Sequence, residues 1–342
     1  MSRIVFINGN YVEEKDAKIS IFDRGLLFSD AVYEVTAIID NKLIDFPAHV
    51  ERLNRSLNKL KINYKFNEKT LLEIHKNLLS KNPFKYNEGL IYLQVSRGST
   101  ERDFLITKNQ LSPNIFAFTQ EKNLTDLNTK GLKIITKEDL RWQRRDIKTT
   151  QLIYASLSKT EANEIGADDT WFVDEDDFVN EGTSNNAYII DKNNTIITRN
   201  LSNKLLPGIT RQTILEVAKK LKLTLEERAF TVTEAISANE AFISSAATLI
   251  LPVIEINNNT IGVGKIGPIT KILREAYIKI SMNNSISFYD TGICRTCARY
   301  LWRGSDRESN YLQSAASCRD SMPTHALSCT AGFAAPPPSS RR

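Results

Sequence analysis

Apolar and polar positions along this chain fall into short blocks with two different periods. Ile4-Val5-Phe6-Ile7, then Asn8-Gly9-Asn10, then Tyr11-Val12 predicts a hairpin closed by a glycine turn. Val32 to Ile39 and Lys42 to Phe46 predict a second hairpin around Asp40-Asn41. Pro47 opens a helix whose apolar positions Val50, Leu53, Leu57 and Leu60 share one face, and Leu71 to Leu79 forms another. Gly89 to Val95 and Asn114 to Phe118 read as strands, and the polar stretch from Thr119 to Lys130 is the best candidate for a linker. Beyond it the pattern predicts strands at 131–136, 171–174 and 186–190 and helices at 151–165, 210–222 and 268–280. The expectation is an α+β protein of two domains. A small N-terminal domain spans 1–118, a linker 119–130 and a larger mixed domain 131–287, with a tail at 288–342. A cleft between two such domains is a usual place for a ligand.

Composition adds little until the tail is separated. The 342 residues are 41% hydrophobic and 25% charged, ordinary for a globular protein, with a net charge of +5. Residues 291–342 carry seven arginines against three acids, a net of +4, so the body is close to neutral and gives no reason to expect nucleic acid. The same region holds all four cysteines (Cys294, Cys297, Cys318, Cys329) and no lysine, and it ends in a proline run. Residues 304–342 show no sustained period, which predicts disorder or a fused, non-native sequence foreign to the fold. Cys294 and Cys297 have the spacing of half a zinc site, but the second half is missing, so no metal is expected. No apolar run reaches membrane-spanning length and the N-terminus lacks a secretory apolar region; the expected location is cytoplasmic.

Three stretches carry candidate chemistry. Residues 212–223 have helical spacing of Ile214, Leu215, Val217, Ala218 and Leu221, with Pro207-Gly208 just upstream and Thr210 as a capping residue. A helix start leaves backbone N–H groups unpaired and attracts a phosphate, although the same pattern also describes a plain capped helix. Lys148 follows the run Arg141-Trp142-Gln143-Arg144-Arg145. Neighbouring cations disfavour protonation of an amine, and a neutral amine attacks an aldehyde; alone, this is also what a solvated basic patch looks like. Glu181 follows the turn-like stretch 173–179, where it is either an exposed turn acid or a carboxylate able to keep a pyridine nitrogen protonated. His49 reads as a polar residue at a helix start, and Trp142 and Trp171 as packing residues.

Seven segments decide between these readings by resemblance: residues 22–35, 49–53, 93–104, 139–152, 179–188, 207–211 and 241–256. In order and spacing they resemble the fold-type IV transaminases that use pyridoxal 5'-phosphate, the group containing D-amino-acid and branched-chain aminotransferases. The D-amino-acid members are the most similar, through Tyr33-Glu34-Val35 after Phe28-Ser29-Asp30 and through Arg97-Gly98-Ser99 followed by Arg102. The resemblance implies a small α/β N-terminal domain, a larger mixed β-barrel-like domain and a homodimer. It implies that Lys148 is the catalytic lysine joined to the cofactor aldehyde and that Glu181 partners the ring nitrogen. Arg52, Ile209, Thr210 and Ser245 become phosphate-side residues, and Tyr33, Arg102 and Phe104 substrate-binding ones.

Two features depart from the family. Phe104 stands where the best-known D-amino-acid enzymes have histidine, and Ala246 and Ala247 stand where threonines are common. Arg102 still offers a guanidinium able to make paired hydrogen bonds to a carboxylate. The implied reaction is transfer of an amino group from a D-amino acid to a 2-oxo acid by a ping-pong, Schiff-base mechanism. Alternatives on the same scaffold are a branched-chain L-amino-acid or (R)-selective amine transaminase, an aminodeoxychorismate lyase, or a non-catalytic cofactor-binding protein.

Overall fold

In the computed structural model, which describes residues 2–106, 111–126 and 130–287, strand Ile4–Ile7 turns back on Asn10–Glu13 as expected. Asn8 and Gly9 both take positive φ (45° and 91°). That is the mirror-image turn whose twist matches the two strands. The hairpin forms one edge of a seven-stranded antiparallel sheet, the small sheet. Its order runs 286–287, 42–43, 31–39, 89–96, 115–121, 4–7, 10–13.

The helix α1 (Arg24–Phe28) starts on Asp23, whose carboxylate accepts from the Leu26 N–H, and ends at Ser29 in the left-handed region. The long strand Ala31–Ile39 follows. The second hairpin is shorter than the pattern predicts, with Lys42–Leu43 as its return strand. Asp45 takes a φ of 52°, which ends the strand, and α2 (Phe46–Lys59) begins at once with Pro47 in its first turn. The helix α3 (Glu68–Lys81) is capped by the Asn67 side chain. Strand Ile115–Glu121 carries the sheet three residues past Phe118, into the stretch that reads as a linker; residues 127–129 of that stretch lie outside the described residues. Leu53, Leu57, Leu78, Ile38 and Leu43 form the core under α2 and α3.

The second sheet has nine strands and mixed direction. Its members include Leu132–Glu138, Asp169–Val173, Val179–Gly182, Asn186–Ile190, Glu240–Ser245 and Leu249–Ile256. The connections carry α4 (Ile153–Glu164), α5 (Ile209–Lys220), α6 (Val232–Ile236) and α7 (Pro268–Asn283). Strand Asn186–Ile190 is buried throughout. Tyr188 and Ile190 face one core while Ala187 and Ile189 face another, so both faces are covered and no polar alternation marks it in sequence. Tyr188 stacks on Phe242 with ring centroids 4.4 Å apart. The first of these cores joins the sheets, because Ala37, Ile39 and Leu90 of the small sheet pack with Tyr188, Phe242 and, from the helices, Ile214 and Tyr277.

Among the described residues, no helix is long and apolar enough to cross a membrane, and no group of three or more His, Cys, Asp or Glu could hold a metal. The cysteines and the proline-rich end lie outside the described residues.

His75 of α3 is buried against Phe46, and its Nδ1–H donates to the Leu71 carbonyl at 2.8 Å. Burial pushes the imidazole down from its ordinary 6.5 to about 4. The unfolded chain therefore binds more protons than the folded one between those values. The His75 contribution should be level above pH 6.5 and fall on acidification to pH 4, by about 3 kcal/mol. Urea denaturation at a series of pH values checks this. His75→Met should flatten that limb, and an unchanged slope would assign it to other groups.

Candidate active site

The cleft where the two sheets meet has a volume of about 180 Å³ and draws its walls from both. Lys148 is brought there by backbone pairing. Tyr33 N–H donates to the Lys148 carbonyl (3.0 Å), Thr150 N–H donates to the Ala31 carbonyl (3.2 Å), and Val32 and Thr149 form a bridge. The segment 148–150 is thus laid along the start of strand Ala31–Ile39, while Ile147 is sunk in the core beneath. The lysine side chain is half-buried, with Nζ 3.9 Å from the centroid of the Tyr33 ring. Tyr33 is itself stacked on Tyr92, which fixes the platform.

One end of the cleft is built to hold an anion. Gly208, not Thr210, is the N-cap of α5, and it offers no side-chain cap. Among the described residues, the N–H groups of Ile209 and Thr210 donate to no protein acceptor, and both residues line the cleft. A Cβ on Gly208 would lie 2.2 Å from Asn186 Oδ1, so glycine is required where the backbone passes Asn186. Arg52 of α2 stands beside this start, with Nη1 donating to the Pro207 carbonyl at 3.2 Å. Its Nε and Nη2 make a paired contact with Glu34, 2.8 Å each, and His49 Nδ1 lies 2.8 Å from the same carboxylate. Burial alone would hold Glu34 neutral, but the Arg52 guanidinium and His49 outweigh it and keep the carboxyl far below its usual range. Ser245 lines the same cleft and exchanges a hydrogen bond with Thr248 (2.8 Å), while Ala246 and Ala247 present only methyl groups.

Glu181 also lines the cleft. It is buried, and burial raises its proton affinity; Arg141 and the Leu206 N–H only partly offset that. Arg141 Nη1 donates to Oε1 (2.8 Å), and Leu206 N–H and Asn186 Nδ2 donate to Oε2 (3.0 and 3.2 Å). The arginine run before Lys148 does not crowd it with free cations. Arg141 and Arg145 are engaged with Asp139, and Arg144 with Asp146.

An amine thus sits on an aromatic platform, between unpaired N–H groups with a buried guanidinium and a buried carboxylate. That donor set fits an aldehyde-bearing ring with a basic nitrogen and a phosphate. Seven of the nine expected site residues line this cleft: Arg52, Lys148, Glu181, Ile209, Thr210, Ser245 and Tyr33. The structure does not bring Arg102 and Phe104 to it. Phe104 is 77% exposed and meets Phe28 edge-on at 5.5 Å; the Arg102 guanidinium lies 5.5 and 5.4 Å from those two rings. Arg24 Nη1 holds the loop through the Asp103 carbonyl at 2.7 Å. Sequence reasoning missed four contributors: Glu34, Arg141 and Asn186 as partners of the site residues, and His49, which is buried in the cleft wall. Glu34 and His49 lie inside the quoted motifs, yet only the fold shows that they meet.

Comparison with known proteins agrees with this geometry. The sequence model of the family described as Amino-transferase class IV matches residues 31–256. A D-alanine aminotransferase of Staphylococcus aureus (strain MSSA476) is 34% identical over 283 residues, covering 82% of this chain and 99% of that protein. A D-alanine aminotransferase of Bacillus licheniformis is 36% identical over 275 residues, covering 80% of this chain and 95% of its own. Among solved structures, the branched-chain aminotransferase of the thermophilic archaeon Thermoproteus uzoniensis with norvaline superposes with a TM-score of 0.77 at 23% identity. That match covers 84% of this chain and 100% of the other, and bears on the fold.

Glu34→Gln should remove the anion that compensates Arg52 and leave a buried guanidinium unpaired, at a cost of about 3–5 kcal/mol. Chemical denaturation of purified protein checks it; a loss below about 1 kcal/mol would mean that Arg52 finds another partner or water.

Proposed function

The chain belongs to the class IV aminotransferases, and on that premise we propose that it moves an amino group from a D-amino acid such as D-alanine to a 2-oxo acid such as 2-oxoglutarate. The observation that carries this is the meeting of Lys148, Glu181, Arg52 and the start of α5 in one cleft, in a chain whose relatives at 33–36% identity are D-alanine aminotransferases. The cofactor of the family is pyridoxal 5'-phosphate. When bound, it supplies an aldehyde that takes up the amino group and a ring that accepts the electron pair left by α-carbon deprotonation.

Arg52 and the N–H groups of Ile209 and Thr210 bind the phosphate, with Ser245 beside them. Lys148 Nζ would hold the cofactor and would be the base for the proton on the donor's α-carbon and the acid that gives it back. Its carbonyl is pinned to the Tyr33 N–H, so the amine works over a fixed platform. Glu181, held at both oxygens by Arg141 and the Leu206 N–H, is the carboxyl offered to the ring nitrogen. The donor is released as an oxo acid before the acceptor binds, which gives ping-pong kinetics.

Tyr33 and Arg102 are assigned to the substrate carboxylate. Arg102 is exposed and does not line its own cleft, and the proposed homodimer is what gives it a place to act. Exposed Ile21, Leu26, Phe104 and Leu105, at 71%, 68%, 77% and 74%, supply apolar surface for that contact. In this reading the loop of one copy closes over the cleft of the other.

Lys148→Ala should abolish transfer from D-alanine and the borohydride-fixed attachment of the cofactor together. Measurable turnover with any D- or L-donor would take Lys148 out of the mechanism. Arg102→Leu should raise KM for carboxylate donors tenfold or more, about 1.4 kcal/mol or greater. Mixing the Lys148→Ala and Arg102→Leu proteins under subunit exchange should restore about a quarter of wild-type rate, from mixed dimers with one intact site. No restoration would place Arg102 in its own subunit's site or outside the reaction.

A further inference from the structure

We infer that Asp139 is a positioning residue for Glu181: it holds Arg141 so that one guanidinium nitrogen is delivered to the Glu181 carboxylate, and together with Arg145 it balances the buried charge there. The inference rests on the reading that Glu181 faces the ring nitrogen.

The geometry is a chain of three contacts. Arg141 Nε and Nη2 donate to the two oxygens of Asp139, each at 2.8 Å, leaving Nη1 to reach Glu181 Oε1 at 2.8 Å. The guanidinium also lies over the Phe172 ring, 4.5 Å from its centroid, so its plane is set from a third side. Asn180 Nδ2 donates to Asp139 Oδ2 (2.8 Å). Arg145 Nε stands 3.1 Å from that oxygen, while its Nη2 donates to the carbonyls of Asp139 and Arg141. All four charged side chains are nearly buried, at 2% for Asp139, 12% for Arg141, 9% for Arg145 and 6% for Glu181.

Two anions and two cations therefore sum to zero in a place where an unbalanced charge would be costly. The arrangement also has a direction. With Asp139 present, Arg141 gives Glu181 one nitrogen, and Glu181's other oxygen is taken by Leu206 N–H and Asn186. Burial opposes ionisation of Asp139, but Arg141, Arg145 and Asn180 outweigh it and hold its carboxyl below the usual range, whereas the burial of Glu181 is only partly offset and raises its carboxyl. Take Asp139's charge away and the quartet becomes cationic, which disfavours a proton on anything bound beside Glu181. Take Arg145's charge away and it becomes anionic, which favours that proton. The other ionisable groups lining the cleft are Lys148, Arg52, His49, Arg144 and Tyr33, and neither substitution replaces any of them.

The test uses the holoenzyme and follows the cofactor's absorption band against pH, with cofactor affinity measured by equilibrium dialysis and folding by thermal melts. Asp139→Asn should lower the midpoint by about one pH unit, and Arg145→Met should raise it by a comparable amount. A merely structural role would give no shift or shifts of one sign, and either result overturns the inference. Glu181→Gln separates the two layers. If it leaves the midpoint unchanged, the reading of Glu181 fails; if it moves the midpoint while Asp139→Asn and Arg145→Met do not, only the role of Asp139 fails. Should Asp139→Asn not fold, the sign of the Arg145→Met shift decides alone: upward supports the inference, and no shift or a downward one overturns it.

Discussion

The buried contact between Glu34 and Arg52 is the constraint on which the site depends. Glu34 belongs to the long strand of the small sheet, Arg52 to α2, and the remaining nitrogen of Arg52 reaches the Pro207 carbonyl at the entrance to α5. One side chain therefore ties the small sheet to the loop that starts the anion-holding helix of the other half. A buried ion pair is weak evidence for stability, because desolvation offsets most of its attraction. What it contributes is placement. A guanidinium forked onto a carboxylate has one orientation, and here that orientation keeps a positive charge beside unpaired N–H groups.

The same logic places the lysine. A flexible four-carbon side chain has little use as a nucleophile unless its backbone is fixed and its head has something rigid to lie on. Pairing of 148–150 with the start of strand Ala31–Ile39 fixes the first, and the Tyr33–Tyr92 stack supplies the second. The small sheet thus contributes the platform and the charge that orients Arg52. The large sheet contributes Glu181 and the α5 start. Neither half holds a complete site, which is why the cleft lies between them.

Much of this is legible in sequence, for separable reasons. Helical periodicity marks α2, α3, α5 and α7, since each has one solvated face. Lys148, Glu181 and the stretch 207–211 are legible through ordered motifs, and the local chemistry of each is correct but ambiguous alone. Strands Val179–Gly182 and Glu240–Ser245 escape because they are buried at nearly every position and leave no period of two. Thr210 reads as a cap because capping residues and helix starts coincide so often. The true cap, Gly208, is set by close passage past Asn186, a contact across twenty-two positions that no local pattern carries. Arg102 and Phe104 are expected in the cleft because a motif records which residues recur together, not where the fold sets each of them, and here neither lines it.

The arginine run illustrates how a charge pattern is reinterpreted by a fold. Met as a string, Arg141, Arg144 and Arg145 look like three free cations beside a lysine. In the structure each is spent on a carboxylate, and two of them on the same one. For Arg141 and Arg145, at 12% and 9% exposure, the physical reason is burial, while Arg144, 41% exposed, pairs with Asp146 at the surface. A solvated basic patch can leave its charges unpaired, but a segment that must pass between two sheets cannot. Asp139 is therefore part of the condition for having that run at all, and the pairing leaves Arg141 with one nitrogen over. That nitrogen is the one aimed at Glu181. The demand that buried charges be balanced and the demand that one carboxylate be held in place are met by the same four side chains.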